Sequence, residues 1–229
     1  MRAAVMRDWT LRVDEVDEPP LGPGMVRTRV LACGICGSDL HLVTHGAEAR
    51  RHADELAGRQ RAAGIEPTAG SLSFDPARDM VMGHEFCCEV VELGPGVERL
   101  AVGDVVVSMP GVFDADGGHA LGFSNTYPGG YAEEMVLNEL LAITVPTGLP
   151  HRLASLTEPL AVGVHAVAKS GIAPGDAALV VGLGPVGLAC IAAMKMLGIG
   201  PIVGADFSPT RRALAEHLGC DEVVDPADE

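Results

Sequence analysis

The segment Val180-Val181-Gly182-Leu183-Gly184-Pro185-Val186-Gly187 constrains the fold of this chain more than any other. Two β-branched residues run into three glycines spaced one, three and six, and Leu188, Ala189, Ile191, Ala192 and Lys195 then continue at helical spacing. Strand, tight turn and helix in that order open a βαβ unit. The first glycine permits the turn, the second lets backbone approach a pyrophosphate, and the third lets helix and strand pack closely. The flanking pattern agrees: helix at 158–170, strand at 177–181, helix at 185–197, strand at 201–206, helix at 209–218 and a short strand at 222–224. Such alternation predicts a parallel sheet with crossover helices. Residues 177–194 are uncharged and mostly apolar, long enough on that ground to cross a membrane, but Gly182, Gly184, Pro185 and Gly187 break the run in its middle.

The candidate dinucleotide contacts are therefore Gly182, Gly184, Pro185, Val186 and Gly187. Asp206 joins them: it ends the next strand, 19 positions after Gly187, where a carboxylate accepts bonds from ribose hydroxyls and repels a 2′-phosphate. NAD is expected in preference to NADP, with Arg211 and Arg212 as candidate phosphate contacts that oppose this preference.

Upstream of about Pro150 the pattern changes to short β segments at 26–32, 89–93, 104–108 and 135–137, punctuated by Gly-Pro-Gly at 22–24 and 94–96. A small barrel suits that spacing. The formal charge of −15 opposes sequence-independent binding to nucleic acid or to an anionic membrane, so a small molecule is the expected partner. Six cysteines, none between Cys88 and Cys190, do not form a secreted disulfide framework, and residues 1–8 lack the apolar run of a signal peptide. A reducing cytoplasm is expected.

The stretch Cys33-Gly34-Ile35-Cys36-Gly37-Ser38-Asp39-Leu40-His41 collects a thiol metal ligand, a hydroxyl, a carboxylate and an imidazole in one segment that reads as turn-rich. Gly83-His84-Glu85 adds a second ligand candidate. A thiolate and an imidazole hold zinc, and a carboxylate outside them can orient the imidazole. Cys33-x-x-Cys36 is half of a zinc knuckle, but no second pair follows, and Cys33 is read as a packed thiol.

These three motifs, in this order, resemble the zinc-dependent alcohol and polyol dehydrogenases of the medium-chain dehydrogenase/reductase superfamily. The resemblance implies an α/β plus β fold: a GroES-like catalytic β-barrel at 1–149, then an incomplete Rossmann domain, a doubly wound parallel sheet, at 150–229. It implies Cys36 and His84 as zinc ligands and Glu158, in Glu158-Pro159-Leu160, as the third, with Glu85 sharing or exchanging that place. Which glutamate is bound at rest stays open. Ser38 and His41 match the proton relay, and Asp39 matches the carboxylate behind His84. Gly129-Gly130-Tyr131-Ala132-Glu133 resembles a Gly-Gly-x-Ala-Glu segment that sets backbone near the site. The four-cysteine lobe of many members is missing, so one catalytic zinc and no structural zinc are expected. The implied reaction moves a hydride between NAD and an alcohol, polyol, aldehyde or ketone, with homo-oligomers formed by the full-length protein.

Two departures stand out. Cys36 and His84 lie 48 positions apart, and the excess at about 45–80 contains a charged segment, 47–63, that reads as an exposed helix. That insertion is either a solvated surface feature or a lid or oligomer contact. The half of a dinucleotide fold that cradles nicotinamide is also not encoded here. The alternatives are a non-catalytic zinc-binding remnant and a zinc-free quinone or enoyl reductase, though those reductases lack the cysteine–histidine pair.

Overall fold

A computed structural model describes residues 1–65 and 74–228. It divides into two compact units, Met1–Leu156 and Thr157–Glu229. Part of the expected insertion, residues 66–73, lies outside the described residues.

The first unit is antiparallel. Its strands are β1 (Arg2–Arg7), β2 (Thr10–Glu15), β3 (Met25–Cys33), β4 (Met80–Val81), β5 (Phe86–Leu93), β6 (Val105–Ser108), β7 (Gly111–Asp114), β8 (Gly117–Ala120), β9 (Glu134–Asn138) and β10 (Ala142–Thr144). They form sheets ordered β2-β1-β4, β10-β6-β5-β3-β9 and β7-β8. Two helices accompany them, α1 (Gly37–Ala62) and α2 (His151–Ala154). Alternating apolar residues of β3, β5, β6 and β9, among them Val26, Cys88, Val90, Val106, Met135 and Leu137, meet in one buried cluster. Burying that face is what drives the sheet together.

The β1–β2 hairpin was not legible, because it lacks glycine or proline at its turn. Its two-residue loop is Asp8-Trp9, both at positive φ (49° and 62°), the conformation that a two-residue hairpin favours. The Trp9 ring then lies against α1 where only Gly46 leaves room; a Cβ there would overlap Trp9 Cζ3.

Helix α1 corrects the turn-rich reading of Cys33–His41. The helix starts at Gly37, ten residues ahead of the charged segment, and runs through it to Ala62. Cys36 is the N-cap, and Asp39, three residues on, returns its carboxylate to the Cys36 N–H at 3.0 Å. A short acidic residue at that place satisfies an end-of-helix donor and favours the helix N-terminus. Beyond Gly46 only Ala57 is buried, so the charged half of α1 is a solvated face.

The second unit alternates as expected: α3 (Thr157–Ser170), β11 (Ala178–Val181), α4 (Pro185–Met196), β12 (Ile202–Ala205), α5 (Pro209–His217) and β13 (Glu222–Val224). Its strands are parallel, in the order β11-β12-β13. Leu183, Ile191, Met194, Ile202 and Ala215 form its core. α3 and α4 cross closely at Gly163, where a Cβ would sit 2.5 Å from that of Ala189. No helix among the described residues is long and apolar enough to cross a membrane.

Candidate functional site

Strand register creates the first site. β3 and β5 pair antiparallel with Cys33 opposite Phe86, so the residues just past the end of β3 run beside those just before β5. Gly34 N–H donates to the Glu85 carbonyl at 2.7 Å. Gly34 leaves room for the Glu85 carboxylate, which a Cβ there would displace. Cys36, His84 and Glu85 are thereby gathered, and their ligand atoms all lie within 4.8 Å of one another. Among the described residues they form the one cluster of three such side chains.

Behind the cluster sits Asp39, 2% exposed. Its Oδ2 accepts the Cys36 N–H and the Tyr131 hydroxyl, the latter at 2.8 Å. Its Oδ1 faces His84 Nδ1 at 3.5 Å, and among the described residues neither atom has another hydrogen-bond partner. Asp39 first, against the opposing effect of burial, and then Cys36 raise the metal-free His84 imidazole to about 9. Burial works against ionisation of Asp39, yet bonds from His84, Tyr131 and Cys36 together hold its carboxyl below the usual range. On its other edge, His84 Nε2 lies 3.4 Å from Ser38 Oγ, too long for a strong bond. Nε2 is thus the nitrogen left for a ligand.

The donor set fits zinc: one sulfur, one imidazole nitrogen and one carboxylate oxygen converge, with a second carboxylate fixing the imidazole from behind. Zinc bonds of about 2.0–2.3 Å put tetrahedral ligands roughly 3.3–3.8 Å apart, so a cluster within 4.8 Å needs only side-chain adjustment. Glu158 lies elsewhere in the chain, half-buried in the first turn of α3 in the second unit. Ser38 and His41 are both exposed on the first turns of α1, and the His41 ring lies 5.0 Å from that of His45. Cys33 is not part of the cluster; burial pushes its thiol up to about 12.

Sequence reasoning missed Tyr131 and the role of Gly83. Gly83 adopts φ +94, and a Cβ on it would lie 2.7 Å from the Tyr131 ring. The signal was present in Gly129-Gly130-Tyr131, but its target was 48 residues away and out of sight of local pattern.

The second site is the glycine loop between β11 and α4. Gly182 has φ +89, Gly184 is the N-cap of α4, Pro185 occupies its first position with Val186 next, and Gly187 abuts the Gly182 carbonyl so closely that a Cβ would overlap it. Exposed Pro185 and Val186 begin a helix whose free N–H groups suit a phosphate. Asp206, 8% exposed at the end of β12, accepts the Leu183 N–H on Oδ2 and the Ser208 N–H on Oδ1, both at 2.8 Å. These backbone bonds, Ser208 first, depress its pKa. Arg211 approaches Asp206 at 3.5 Å, whereas Arg212 is held by the Asp206 carbonyl and the Asp225 carboxylate.

Residues 22–147 match the alcohol dehydrogenase GroES-like domain. The (R,R)-butanediol dehydrogenase of Bacillus subtilis (strain 168) is 36% identical over 227 residues, which is 95% of this chain and 60% of the relative. Sorbitol dehydrogenase of the same organism is 29% identical, over 98% of this chain and 61% of its own length. Among solved structures, 2R,3R-butanediol dehydrogenase from Bacillus subtilis superimposes with a TM-score of 0.77 at 32% identity, covering 100% of this chain and 64% of that one. A structure from Sinorhizobium meliloti 1021 bound to NADP gives 0.80 at 27% identity, covering 100% and 62%. The chain spans about 60% of the length of these curated relatives.

Proposed function

The chain belongs to the zinc-type medium-chain alcohol dehydrogenase family, and from that premise we propose that it carries the metal centre and the adenosine-binding half of an NAD-linked alcohol or polyol dehydrogenase. The observation that carries this reading is the meeting of Cys36, His84 and Glu85 in front of a buried Asp39. When bound, zinc supplies Lewis acidity that acidifies an alcohol oxygen, and NAD supplies the hydride acceptor. Cys36 and His84 would hold the ion; Glu85 is the carboxylate already beside them, and Glu158 is the alternative third ligand. Asp39 keeps the proton on His84 Nδ1 and so leaves Nε2 free to ligate. Ser38, the hydroxyl nearest His84 Nε2, receives the substrate proton and passes it toward exposed His41, which exchanges it with water.

In the second unit, Gly182, Gly184, Pro185, Val186 and Gly187 cradle a pyrophosphate at the start of α4. Asp206 disfavours a 2′-phosphate, which supports NAD over NADP; Arg211, exposed beside it, is the cation that works the other way. The substrates are small alcohols, polyols or the matching carbonyl compounds, as the names of the relatives suggest. The six cysteines are free, which supports a reducing cytoplasm, and a homo-oligomer is part of the same reading.

The test has two parts. Metal analysis of the 229-residue chain should find one tightly held zinc, and a version extended to the length of the relatives should reduce NAD with a panel of diols and polyols. Absence of bound zinc, or turnover that survives His84→Ala, would overturn the reading.

A further inference from the structure

We infer that Tyr131 is a positioning residue of the metal centre, whose hydroxyl fixes how Asp39 presents His84 and how the Cys36 segment meets it. The inference rests on the zinc reading above and deepens it.

Tyr131 is held before its hydroxyl does anything. Three backbone bonds lay 129–131 along 81–83: Gly129 N–H to the Val81 carbonyl, Gly130 N–H to Gly83 and Tyr131 N–H to Met82, at 2.8–3.0 Å. The ring then lies over Gly83, the residue before His84, at the one place where a side chain would obstruct it. From there the phenol reaches Asp39 Oδ2 at 2.8 Å and the Gly34 carbonyl at 3.1 Å. One hydroxyl therefore touches the segment that carries Cys36 while its own backbone is bound to the segment that carries His84.

The consequence follows from counting partners on Asp39. Oδ2 is occupied by the phenol and by the Cys36 N–H, which leaves Oδ1 and His84 Nδ1 facing each other as two buried polar atoms without any other partner among the described residues. Among the described residues each is the other's nearest complement, at 3.5 Å. The phenol thus selects the Asp39 rotamer in which His84 carries its proton on Nδ1, and the tautomer that offers Nε2 to a metal follows. A phenylalanine would fill the same space and make the same ring contact with Gly83. It would leave Oδ2 with one donor fewer and Asp39 free to turn.

A packing role and a positioning role predict different behaviour. Zinc affinity is measured by competition with a chromophoric chelator, and the ligand field by the visible absorption of the Co²⁺-loaded chain, for wild type, Tyr131→Phe, Asp39→Asn and the double variant. Positioning predicts about tenfold weaker zinc for Tyr131→Phe and an altered Co²⁺ band. It also predicts little further loss when Tyr131→Phe is added to Asp39→Asn, because the hydroxyl acts through that carboxylate. Wild-type affinity and spectrum in Tyr131→Phe, or full additivity with Asp39→Asn, would overturn the inference while leaving the zinc site standing. Wild type that binds no zinc would overturn both. Should Tyr131→Phe not fold, a second measurement keeps the hydroxyl. The chain has two tyrosines, so 3-fluorotyrosine labelling gives two ¹⁹F signals, assigned with Tyr127→Phe. The Tyr131 signal should move on zinc loading, and an unmoved signal rejects the coupling.

Discussion

Asp39 and Asp206 are both aspartates buried to within a few per cent, each beside a candidate site, and they do opposite kinds of work. Asp206 has both oxygens committed to backbone, to Leu183 in the glycine loop and to Ser208 ahead of α5. Its two partners lie 23 and 2 positions away along the chain. Asp39 spends one oxygen on the Cys36 N–H and the Tyr131 hydroxyl and aims the other at His84, joining segments separated by up to 92 positions. A carboxylate with each oxygen bonded to nearby backbone is a structural clasp that still presents its charge, and one with an oxygen reserved for a single imidazole is an orienting group. Burial alone does not distinguish the two; the partner list does.

The largest effects should come from the ligands of the first unit. His84→Ala or Cys36→Ser should take bound zinc from one per chain to none by metal analysis, with the thermal transition of the second unit unchanged. In the extended protein, His41→Ala should slow NAD-linked turnover by about 10²-fold, at the low end for a positioned acid–base group, with zinc content intact. Loss of zinc in that variant would make His41 a ligand and not a relay.

The two aspartates can then be set against each other. Asp39→Asn should weaken zinc about 10–100-fold in chelator competition, whereas Asp206→Asn should leave zinc affinity alone. Asp206→Ala should instead narrow the preference of the chain for adenosine fragments without a 2′-phosphate, read by calorimetry with and without that phosphate. A zinc defect in Asp206→Asn would break the contrast.

The smallest effect is a dependence on pH. The folded-state pKa of Asp206 is depressed by the Ser208 and Leu183 N–H groups, so its contribution to stability is fully present above the ordinary carboxylate range. It is lost as pH falls through the lower folded value. Thermal melts between pH 6 and pH 3 (roughly the window around a carboxylate) should therefore show the second unit losing stability less steeply in Asp206→Asn than in wild type. Equal slopes would mean that the clasp is not ionic.

What could be read beforehand differs between the units for the same reason that the aspartates differ. The parallel sheet, its helices and the glycine loop were legible almost residue by residue, because glycines at 182, 184 and 187 and apolar runs on either side encode their conformation locally. The order of ligand-type residues, Cys36, then His84 and Glu85, was equally legible. The start of α1 was not, since Cys36 as N-cap and Asp39 as its reciprocal partner read as turn residues until the helix behind them is seen. The β1–β2 hairpin stayed hidden because Asp8-Trp9 takes a left-handed turn without glycine.

The sequence by itself determined the chemical inventory and the local conformations: which residues can hold a metal, and where backbone must turn or expose N–H groups. Tertiary structure alone decided which of those residues meet. The Cys33–Phe86 register sets Gly34 against Glu85, and three backbone bonds along 81–83 carry Tyr131 to Asp39. A pairing across tens of residues is fixed by the burial of a whole sheet face and by the need of each buried polar atom for a partner, and neither is a property of any short stretch of chain.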